Sequence, residues 1–326
     1  MYGPDFTFLG IERCDLDKPE TYKGADVVIV GAPIDSGTSH RSGAKFGPQA
    51  IRMGDYLPHD GERPHLALRT DGLKDMKVLD AGDLIMNGGD LEGSLSLLAE
   101  ATEKISRAGA IAVVLGGDHS IASADVAGIA SHRGKGKISM VHFDAHADTG
   151  TDQWGALVGH GTPMRRLIEN GHVRGDRFLQ LGLRGYWPDD ATLNWMRDQG
   201  MRSYEMTEIH HRGLKAVLDE SFATLTKDCD GVFLSVDIDV VDPGMAPGTG
   251  TPEPGGMTSR ELLEAVRRIC LELPVVGIDV VEVSPPFDSA DITAILANRV
   301  VLEAVSAIAK RKSGSTYSPT QNLLDR

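Results

Sequence analysis

The sequence predicts an α/β protein in which a mostly parallel sheet lies between two layers of helices, a three-layer α/β/α sandwich. Six short runs of apolar, often β-branched residues recur along the chain without alternating polar residues. Strands of this kind are buried on both faces, as the strands of parallel sheets are. Segments with helical spacing lie between the runs, and this βαβα order favours a parallel sheet covered by helices.

The predicted elements follow one another along the chain. The strands cover residues 27–30, 111–115, 138–143, 178–183, 232–236 and 275–280. The helices cover residues 91–107, 162–170, 214–225, 259–271 and 293–310. Thr258 and Glu261 form a capping-box pattern directly after two glycines, so the helix that begins at residue 259 has a well-defined start.

The organisation of the chain favours a single domain over residues 1–312. No Pro/Ser-rich linker, charge block or internal repeat divides this stretch. Residues 313–326 are polar and rich in turn-forming residues, which predicts a C-terminal tail that is either loose or an arm between subunits. The N-terminus lacks a basic region followed by an apolar one, and no later segment approaches about 18 uncharged apolar residues. We therefore expect neither export nor insertion into a membrane.

Charge and cysteine content exclude several classes of partner. Lysine and arginine number 33 against 47 aspartates and glutamates, so the formal net charge is -14 at pH 7. A chain this acidic is repelled by nucleic acids and by anionic membranes. Cys14, Cys229 and Cys270 are far apart and form no CxxC pair, which argues against a disulfide framework and a thiolate zinc site. We expect a cytoplasmic protein that binds neither nucleic acid nor membrane.

Three of the predicted strands end in side chains that bind metals. The strand at 111–115 continues into GGDHS at 116–120, the strand at 138–143 into DAHAD at 144–148, and the strand at 232–236 into DID at 237–239. Ligands of parallel sheets collect at the carboxyl ends of the strands. Because alternate side chains of an extended chain share a face, the acidic and imidazole groups of each motif can converge on one point.

The converging groups are two imidazoles and four carboxylates, from His119, Asp144, His146, Asp148, Asp237 and Asp239. Each motif by itself has a structural explanation, such as a helix cap, a buried histidine or a solvated loop. Four carboxylates, however, stay ionised together in a cleft only when cations neutralise them. Six ligands exceed the coordination sphere of one ion, so the sequence predicts two divalent ions that share bridging carboxylates.

Competing motifs are absent, and the motifs present resemble one family. The sequence has no P-loop, GxSxG or HExxH pattern. GGDHS at 116–120, FDAHAD at 143–148 and SVDIDVVDPGMAPGTGTPEPGG at 235–256 resemble the signatures of the ureohydrolases, which include arginase, agmatinase and guanidinobutyrase. Supporting matches lie at 31–52 and 280–288, and the sequence is most similar to the guanidinobutyrase and agmatinase branch.

The resemblance implies an arginase-like fold, two Mn²⁺ ions per subunit and a trimer or hexamer. Asp144 and Asp237 would bridge the ions. One ion would be held by His119, Asp144, Asp148 and Asp237, and the other by Asp144, His146, Asp237 and Asp239. An oxygen-rich site without thiolates suits Mn²⁺, although the affinity order lets Ni²⁺, Co²⁺ or Zn²⁺ compete.

The predicted reaction is hydrolysis of a guanidinium to urea and an amine. Water that bridges two divalent ions is acidified to hydroxide near neutral pH and attacks the guanidinium carbon, and Asp148 would steer it. The guanidinium stays charged, so it needs a carboxylate that binds no metal, and Glu282 resembles the guanidinium-binding glutamate of the family. His160 matches the acid that protonates the leaving amine. His142 is expected to be a satisfied core residue, and the pair His210 and His211 is expected to be structural.

The preferred substrate is predicted to be 4-guanidinobutanoate, which yields 4-aminobutanoate, with agmatine as the alternative. The loop 149–159 is shorter than the corresponding loop of arginases, and aromatics follow the GLR motif where arginases have an aspartate, so the resemblance disfavours L-arginine. Asp152 in that loop would favour agmatine if it points inward. A ureohydrolase-like binder without turnover and a single-zinc deacetylase fit the motifs less well. The predicted substrate contacts are Trp154, Tyr186, Trp187 and Glu282.

Overall fold

The structure is a computed structural model that describes residues 6–55, 64–322 and 324. Within these ranges the chain forms eight strands: β1 (Val27–Ala32), β2 (Val78–Asp83), β3 (Ile111–Gly116), β4 (Ile138–Phe143), β5 (Val173–Leu183), β6 (Arg202–Glu205), β7 (Gly231–Asp237) and β8 (Val275–Val281). They form one sheet in the order β2-β1-β3-β8-β7-β4-β5-β6, and all neighbouring strands are parallel. The predicted parallel sheet is confirmed.

Helices connect the strands. They are α1 (Pro19–Tyr22), α2 (Gly47–Met53), α3 (Gly72–Asp75), α4 (Leu91–Arg107), α5 (Ala122–Arg133), α6 (Pro163–Glu169), α7 (Asp190–Asp198), α8 (Met206–Arg212), α9 (Leu214–Leu225), α10 (Ser259–Glu272) and α11 (Ile292–Lys312). Short 3-10 turns lie at Phe8–Gly10, Ala44–Phe46, His119–Ile121, Ile238–Val240 and Pro285–Phe287. All five predicted helices are present, and the capping box of Thr258 and Glu261 opens α10 as expected.

The central strands contribute to two separate apolar cores. Val113 and Leu115 of β3 lie in one core with α10 and α11, whereas Ala112 and Val114 of the same strand lie in the other with α4 and α5. Because successive side chains of a strand point to opposite faces, an uninterrupted apolar run fills both cores. The arrangement is the three-layer α/β/α sandwich that the sequence predicts.

The sequence analysis did not predict two of the strands, and both lie at the edges of the sheet. β2 and β6 are the outermost strands, each paired with one other strand of the sheet, and β2 has an additional isolated bridge between Asp80 and Arg13. β2 ends in the partly exposed sequence Ala81-Gly-Asp83, and β6 is the short polar sequence RSYE, in which only Tyr204 is buried. An edge strand has less apolar surface to bury, so its sequence lacks the continuous apolar run of the central strands.

Helix α11 lies inside the protein. It is long and apolar enough to cross a membrane by length and composition alone, but 78% of its most apolar 18-residue window is buried against the rest of the protein. It also contains Arg299 and Glu303, so its apolar run is interrupted by charges. The helix packs against α2, α3 and α10 and contributes Val300, Val301 and Val305 to the core. These contacts are those of a core helix.

The described residues after Lys312 form neither helix nor strand. Tyr317 packs against the core, and its hydroxyl accepts a hydrogen bond from Arg267 at 3.3 Å. Residues 323, 325 and 326 of the predicted tail lie outside the described residues.

Candidate active site

The predicted ligands meet at the carboxyl ends of four neighbouring central strands, β3, β8, β7 and β4. His119 begins the 3-10 turn that follows β3, and Asp144 directly follows β4. Asp237 is the last residue of β7, and Glu282 directly follows β8. Neighbouring parallel strands bring their carboxyl ends to the same edge of the sheet, so residues more than 160 positions apart in sequence become neighbours.

The first group of ligands surrounds Nδ1 of His119. This atom lies 3.1 Å from Oδ2 of Asp144, 3.0 Å from Oδ2 of Asp148 and 3.2 Å from Oδ2 of Asp237. All four residues are buried. Asp148 has a φ of 52°, a left-handed conformation that is uncommon outside glycine, so the backbone accepts strain where this carboxylate turns toward the cluster.

The second group surrounds Nδ1 of His146. This atom lies 3.4 Å from Oδ1 of Asp144 and 3.1 Å from Oδ2 of Asp239. Asp144 therefore faces both groups, one oxygen toward each histidine. Oδ1 of Asp237 accepts a hydrogen bond from the backbone N–H of Asp239 at 2.9 Å, which links the two carboxylates of the DID motif. The structure thus brings together all six side chains that the sequence analysis named.

The donor set fits divalent cations. Nδ1 of His119 is fully buried among three carboxylates and makes no hydrogen bond of good geometry with them. Burial raises the pKa of Asp237 well above its usual range, and the carboxylates of Asp239 and Asp144 raise it further. Burial also raises the pKa of Asp239. Cations bound between these groups would reduce the repulsion between the carboxylates and would give Nδ1 of His119 a partner. The two oxygen-rich groups match the coordination chemistry of two such ions.

Two residues that the sequence analysis did not place in the site support its ligands. Nε2 of His119 lies 2.9 Å from the hydroxyl of Ser235, which leaves Nδ1 free to face the cluster. His142 was expected only to be a satisfied core residue, and it is fully buried. Its Nε2 lies 2.9 Å from Oδ2 of Asp144, and its Nδ1 accepts a hydrogen bond from the Gln180 side chain. It is satisfied as expected, but one of its partners is a predicted metal ligand.

Glu282 offers a carboxylate oxygen to the site. It has a φ of 63° and is almost fully buried. Its Oε1 accepts from the backbone N–H of His119 at 2.9 Å and lies 2.9 Å from Nδ1 of His160, whereas its Oε2 has no hydrogen-bond partner. A Cβ at Gly250 would lie 2.9 Å from the backbone oxygen of Arg41 and 3.6 Å from Oε2, so the glycine keeps space open beside this oxygen.

His160 bridges Glu282 and a serine that the sequence analysis did not single out. Its Nε2 accepts a hydrogen bond from the backbone N–H of Ser39 at 3.0 Å and lies 2.6 Å from the Ser39 hydroxyl. Burial by itself would lower the pKa of His160, but the adjacent Glu282 carboxylate outweighs it and raises the pKa to about 9. Glu282 thus favours the charged form of His160, whereas the Ser39 N–H directed at Nε2 favours the neutral form that carries its proton on Nδ1 and donates it to Glu282.

A cavity of about 380 Å³ opens above the cluster. Its lining includes cluster residues, His160 and the loop after β4, namely Ser39, His146, Asp148, Asp152, Gln153, Trp154, His160, Gly161, Trp187, Asp237 and Thr251. Trp154 is 81% exposed and Trp187 is 43% exposed, so both rings border the cavity at the surface. Tyr186 is fully exposed and is not part of the lining, so the structure does not bring this predicted contact to the cavity.

The charged side chains of the lining are acidic or histidine. Asp152 lines the cavity and its Oδ1 accepts from the backbone N–H of Gly155. Among the described lining residues there is no lysine or arginine. Thr251 lies with Oγ1 3.4 Å from Oδ2 of Asp239. The cavity therefore presents negative charge both at its floor and on its wall.

Comparison with known proteins establishes the family. The model of the arginase family matches residues 25–306. The chain belongs to the arginase family. This arginase-family chain is 38% identical over 292 residues to the proclavaminate amidinohydrolase of Streptomyces clavuligerus, covering 88% of the chain and 90% of the relative. It is 36% identical over 298 residues to the guanidinobutyrase of Pseudomonas aeruginosa, and the match covers 90% of this chain and 89% of that relative. The chain is thus an amidinohydrolase, a hydrolase of C–N bonds.

Solved structures confirm the arginase-like fold. The proclavaminate amidinohydrolase from Streptomyces clavuligerus matches with a TM-score of 0.82 at 34% identity, covering 95% of this chain and 99% of that one. A variant of formiminoglutamase from Trypanosoma cruzi, solved with Mn²⁺, matches with a TM-score of 0.81 at 25% identity. The match covers 91% of this chain and 97% of that one. The His and Asp cluster of the present arginase-family chain fits a metal site of this kind.

Proposed function

We propose that the chain is a metal-dependent amidinohydrolase that cleaves a linear guanidino compound to urea and an amine. The observation that carries the proposal is the combination of two ligand groups with a spare buried carboxylate oxygen. Oε2 of Glu282 has no partner, and Glu282 contacts the backbone of the ligand His119. A cationic guanidinium needs such an acceptor beside the nucleophile.

Two Mn²⁺ ions per subunit are the proposed cofactors. The first group would hold one ion and the second group the other, with Asp144 and Asp237 shared between them. Two ions held there would supply an acidified water as the nucleophile. Ni²⁺ and Co²⁺ also fit a donor set of imidazoles and carboxylates. The proposed ligands are His119, Asp144, His146, Asp148, Asp237 and Asp239.

Glu282 is proposed to bind and orient the guanidinium. Its Oε1 is held by the N–H of His119, so the carboxylate plane is fixed before the substrate arrives. Burial raises and the nearby His160 lowers the pKa of Glu282, with a net shift below its usual range, so the group is ionised at neutral pH. Asp148, whose carboxylate faces His119, is proposed to accept a hydrogen bond from the nucleophile and steer it toward the guanidinium carbon.

His160 is proposed to give a proton to the leaving amine. The Glu282 carboxylate raises its pKa to about 9 and so favours the imidazolium, in which Nε2 no longer accepts from the Ser39 N–H but can donate to the Ser39 hydroxyl. A guanidinium that pairs with Glu282 weakens the ion pair with His160 and adds a like charge beside it, and both effects lower the pKa of His160 toward neutrality. The imidazolium thus becomes a stronger acid when the substrate is bound, and Ser39 holds the ring from its other side.

The proposed first substrate is 4-guanidinobutanoate, which yields 4-aminobutanoate. The short loop after β4 supports a linear substrate without an α-amino group, and the guanidinobutyrase relative supports a guanidino acid. Trp154 and Trp187 border the cavity and would contact the chain of the substrate. Tyr186 stays a proposed contact only from the sequence, because it lies outside the lining.

Agmatine is the second candidate, and a specific observation favours it. Asp152 lines the cavity, and a lysine or arginine that would pair with a distal carboxylate is absent from the described lining. An acidic wall attracts a distal ammonium. A guanidino acid would depend on neutral donors such as the Trp154 indole and backbone N–H groups of the same loop.

Urea release from matched substrates tests the proposal. The Mn²⁺-loaded protein is assayed with 4-guanidinobutanoate, agmatine and L-arginine, and kcat/KM is compared. We expect 4-guanidinobutanoate to be hydrolysed best and L-arginine least. A tenfold higher kcat/KM for agmatine would make agmatine, rather than 4-guanidinobutanoate, the preferred substrate. No urea from any of the three would contradict the proposed function.

The assembly and location are proposed from the resemblance and from composition. A homo-oligomer, either a trimer or a hexamer, is expected for this family, and the three cysteines are free, as in a reducing cytoplasm. A monomeric mass in light scattering at micromolar concentration would contradict the assembly.

A further inference from the structure

Arg184 contacts both main-chain segments that carry the second ligand group, although the reaction described above gives this residue no part. It directly follows β5, is half-buried and is not among the residues that line the cavity. Its guanidinium donates to five main-chain carbonyl oxygens of the described residues, those of Gly182, Asp239, Val240, Glu253 and Pro254. The side chain therefore holds the frame of the site and does not face its cavity.

The shortest of these hydrogen bonds reach a predicted metal ligand and the loop after β7. Nη2 of Arg184 lies 2.7 Å from the main-chain oxygen of Asp239 and 2.6 Å from that of Glu253. A guanidinium carries five N–H groups in one plane, so it can satisfy several carbonyl groups that surround it. A Cβ at Gly256 would lie 2.6 Å from Nη2, so this glycine leaves the space that the guanidinium occupies.

The main-chain N–H of Arg184 reaches the other segment of the second group. It donates to the oxygen of Ala145 at 3.0 Å, and the N–H of Ala145 donates to Oδ1 of Asp239 at 3.0 Å. Ala145 lies between Asp144 and His146, the other two members of this group. The three residues thus form a closed ring of hydrogen bonds, which leaves Oδ2 of Asp239 facing Nδ1 of His146 at 3.1 Å.

The first ligand group is supported differently. Its imidazole, His119, is oriented by the hydroxyl of Ser235. No described hydrogen bond joins Arg184 to His119, Asp148 or Asp237. Removal of the guanidinium should therefore disturb one of the two ligand groups more than the other.

We propose that Arg184 is a positioning residue that holds the main chain of Asp239 against that of Ala145 and so orients the ligands of one metal ion without those of the other. The inference rests on the proposed metal centre. Loss of a partner that orients a ligand typically weakens metal binding by about 10- to 100-fold. The loss should fall on the ion of the second group, because Asp239 belongs to that group alone.

Metal binding tests the inference without relying on turnover. The metal-stripped wild type and Arg184→Met are titrated with Mn²⁺, and free and bound Mn²⁺ are followed by electron paramagnetic resonance. Arg184→Met keeps an unbranched side chain but has no N–H donor. Its Kd for one ion should rise about 10- to 100-fold, while its Kd for the other stays within about threefold. At a Mn²⁺ concentration that fills both wild-type sites, the variant should show a single isolated ion in place of a coupled pair.

Arg177 provides a matched control on the same strand. Its side chain also donates to main-chain oxygens, that of Lys227 at 2.8 Å and that of Asp176 at 3.0 Å, but it lies in the amino-terminal half of β5. Arg177→Met should lower Tm, because these hydrogen bonds are lost, and should leave both Kd values within about threefold of the wild type.

A double variant tests whether Arg184 acts through Asp239. Asp239→Asn removes the ligand itself and should leave one tightly bound ion. The variant that combines Asp239→Asn with Arg184→Met should bind that ion no more weakly than Asp239→Asn alone. If Arg184→Met does not fold, Arg184→Lys takes its place, since lysine keeps the charge but not the planar set of donors, and the same single ion should be weakened.

The outcomes separate this inference from the proposed function. Two unchanged Kd values in the folded Arg184 variant, or an equal loss for both ions, would overturn the positioning role. The same selective loss in Arg177→Met, or a further loss in the double variant, would also overturn it. A wild-type protein that binds fewer than two ions per subunit, whether Mn²⁺, Ni²⁺ or Co²⁺, would instead overturn the proposed metal centre, and the inference with it.

Discussion

Replacing Glu282 by glutamine is the sharpest test of guanidinium recognition. The side chain is almost fully buried, and glutamine has nearly the same shape, so the N–H of His119 keeps an acceptor. The free Oε2, however, is exchanged for an amide N–H₂, which faces a guanidinium that has donors only. The variant therefore removes an ionic contact and adds an opposed pair of donors at the same point.

The size of the effect follows from the burial of this carboxylate. Removing one partner of a buried charge pair costs about 3–5 kcal/mol. At about 1.4 kcal/mol per factor of ten, kcat/KM for the best guanidino substrate should fall roughly 150- to 4,000-fold. The measurement is steady-state urea release, with metal content determined by elemental analysis in the same preparation.

A second readout and a matched control make the Glu282→Gln result specific. Because Glu282 raises the pKa of His160 to about 9, its loss should move the alkaline limb of the pH profile to lower pH. Glu253→Gln removes the same charge on the loop after β7 but outside the cavity lining, and kcat/KM should stay within about threefold. A loss of less than tenfold in Glu282→Gln, with metal content intact, would refute the proposed recognition.

Four further predictions concern the metals, the acid and the far end of the substrate. Asp144→Asn should abolish urea release and lower metal content, because Asp144 faces both ligand groups. Full activity of the wild type with one metal ion per subunit would contradict the two-metal centre. His160→Asn should lower kcat by about 10²-fold or more while metal content stays intact. In the wild type, kcat/KM should fall as the pH rises through about 9, the raised pKa at which His160 loses its proton. A pH profile that stays flat on the alkaline side would contradict the role of His160 as the acid. Asp152→Asn should weaken the hydrolysis of agmatine more than that of 4-guanidinobutanoate, and equal effects would remove Asp152 from recognition. Trp154→Ala should raise KM more than it lowers kcat, and a larger effect on kcat than on KM would contradict its role as a substrate contact.

The central strands could be predicted from sequence because they are buried on both faces. The run Ile138–Phe143 is apolar at every position but two, and its predicted bounds agree with β4. β2 and β6 were not predicted, because an edge strand is covered on one side only and its sequence carries too few apolar residues. A pattern of burial thus reveals a strand only where the fold buries all of it.

The ligand cluster could also be anticipated, since its members follow strand ends in short motifs. His119, Asp144 and Asp237 come from separate motifs, and the rule that parallel strands gather ligands at their carboxyl ends brings them together. Ser39 was missed although it lies within the quoted 31–52 match, because its contact with His160 spans 121 positions of sequence. His142 was assigned only to the core, because nothing in a strand sequence reveals which neighbour a buried side chain meets.

The sequence alone therefore determined the layered architecture, the acidic and metal-binding chemistry and the class of reaction, because these depend on local periodicity and on short motifs. Tertiary structure decided which groups act on one another. It paired Glu282 with His160, left one oxygen of Glu282 free, and placed Asp152 but not Tyr186 in the lining of the cavity. These relations depend on distances between elements far apart in the chain, and packing of the two helical layers on the sheet sets those distances.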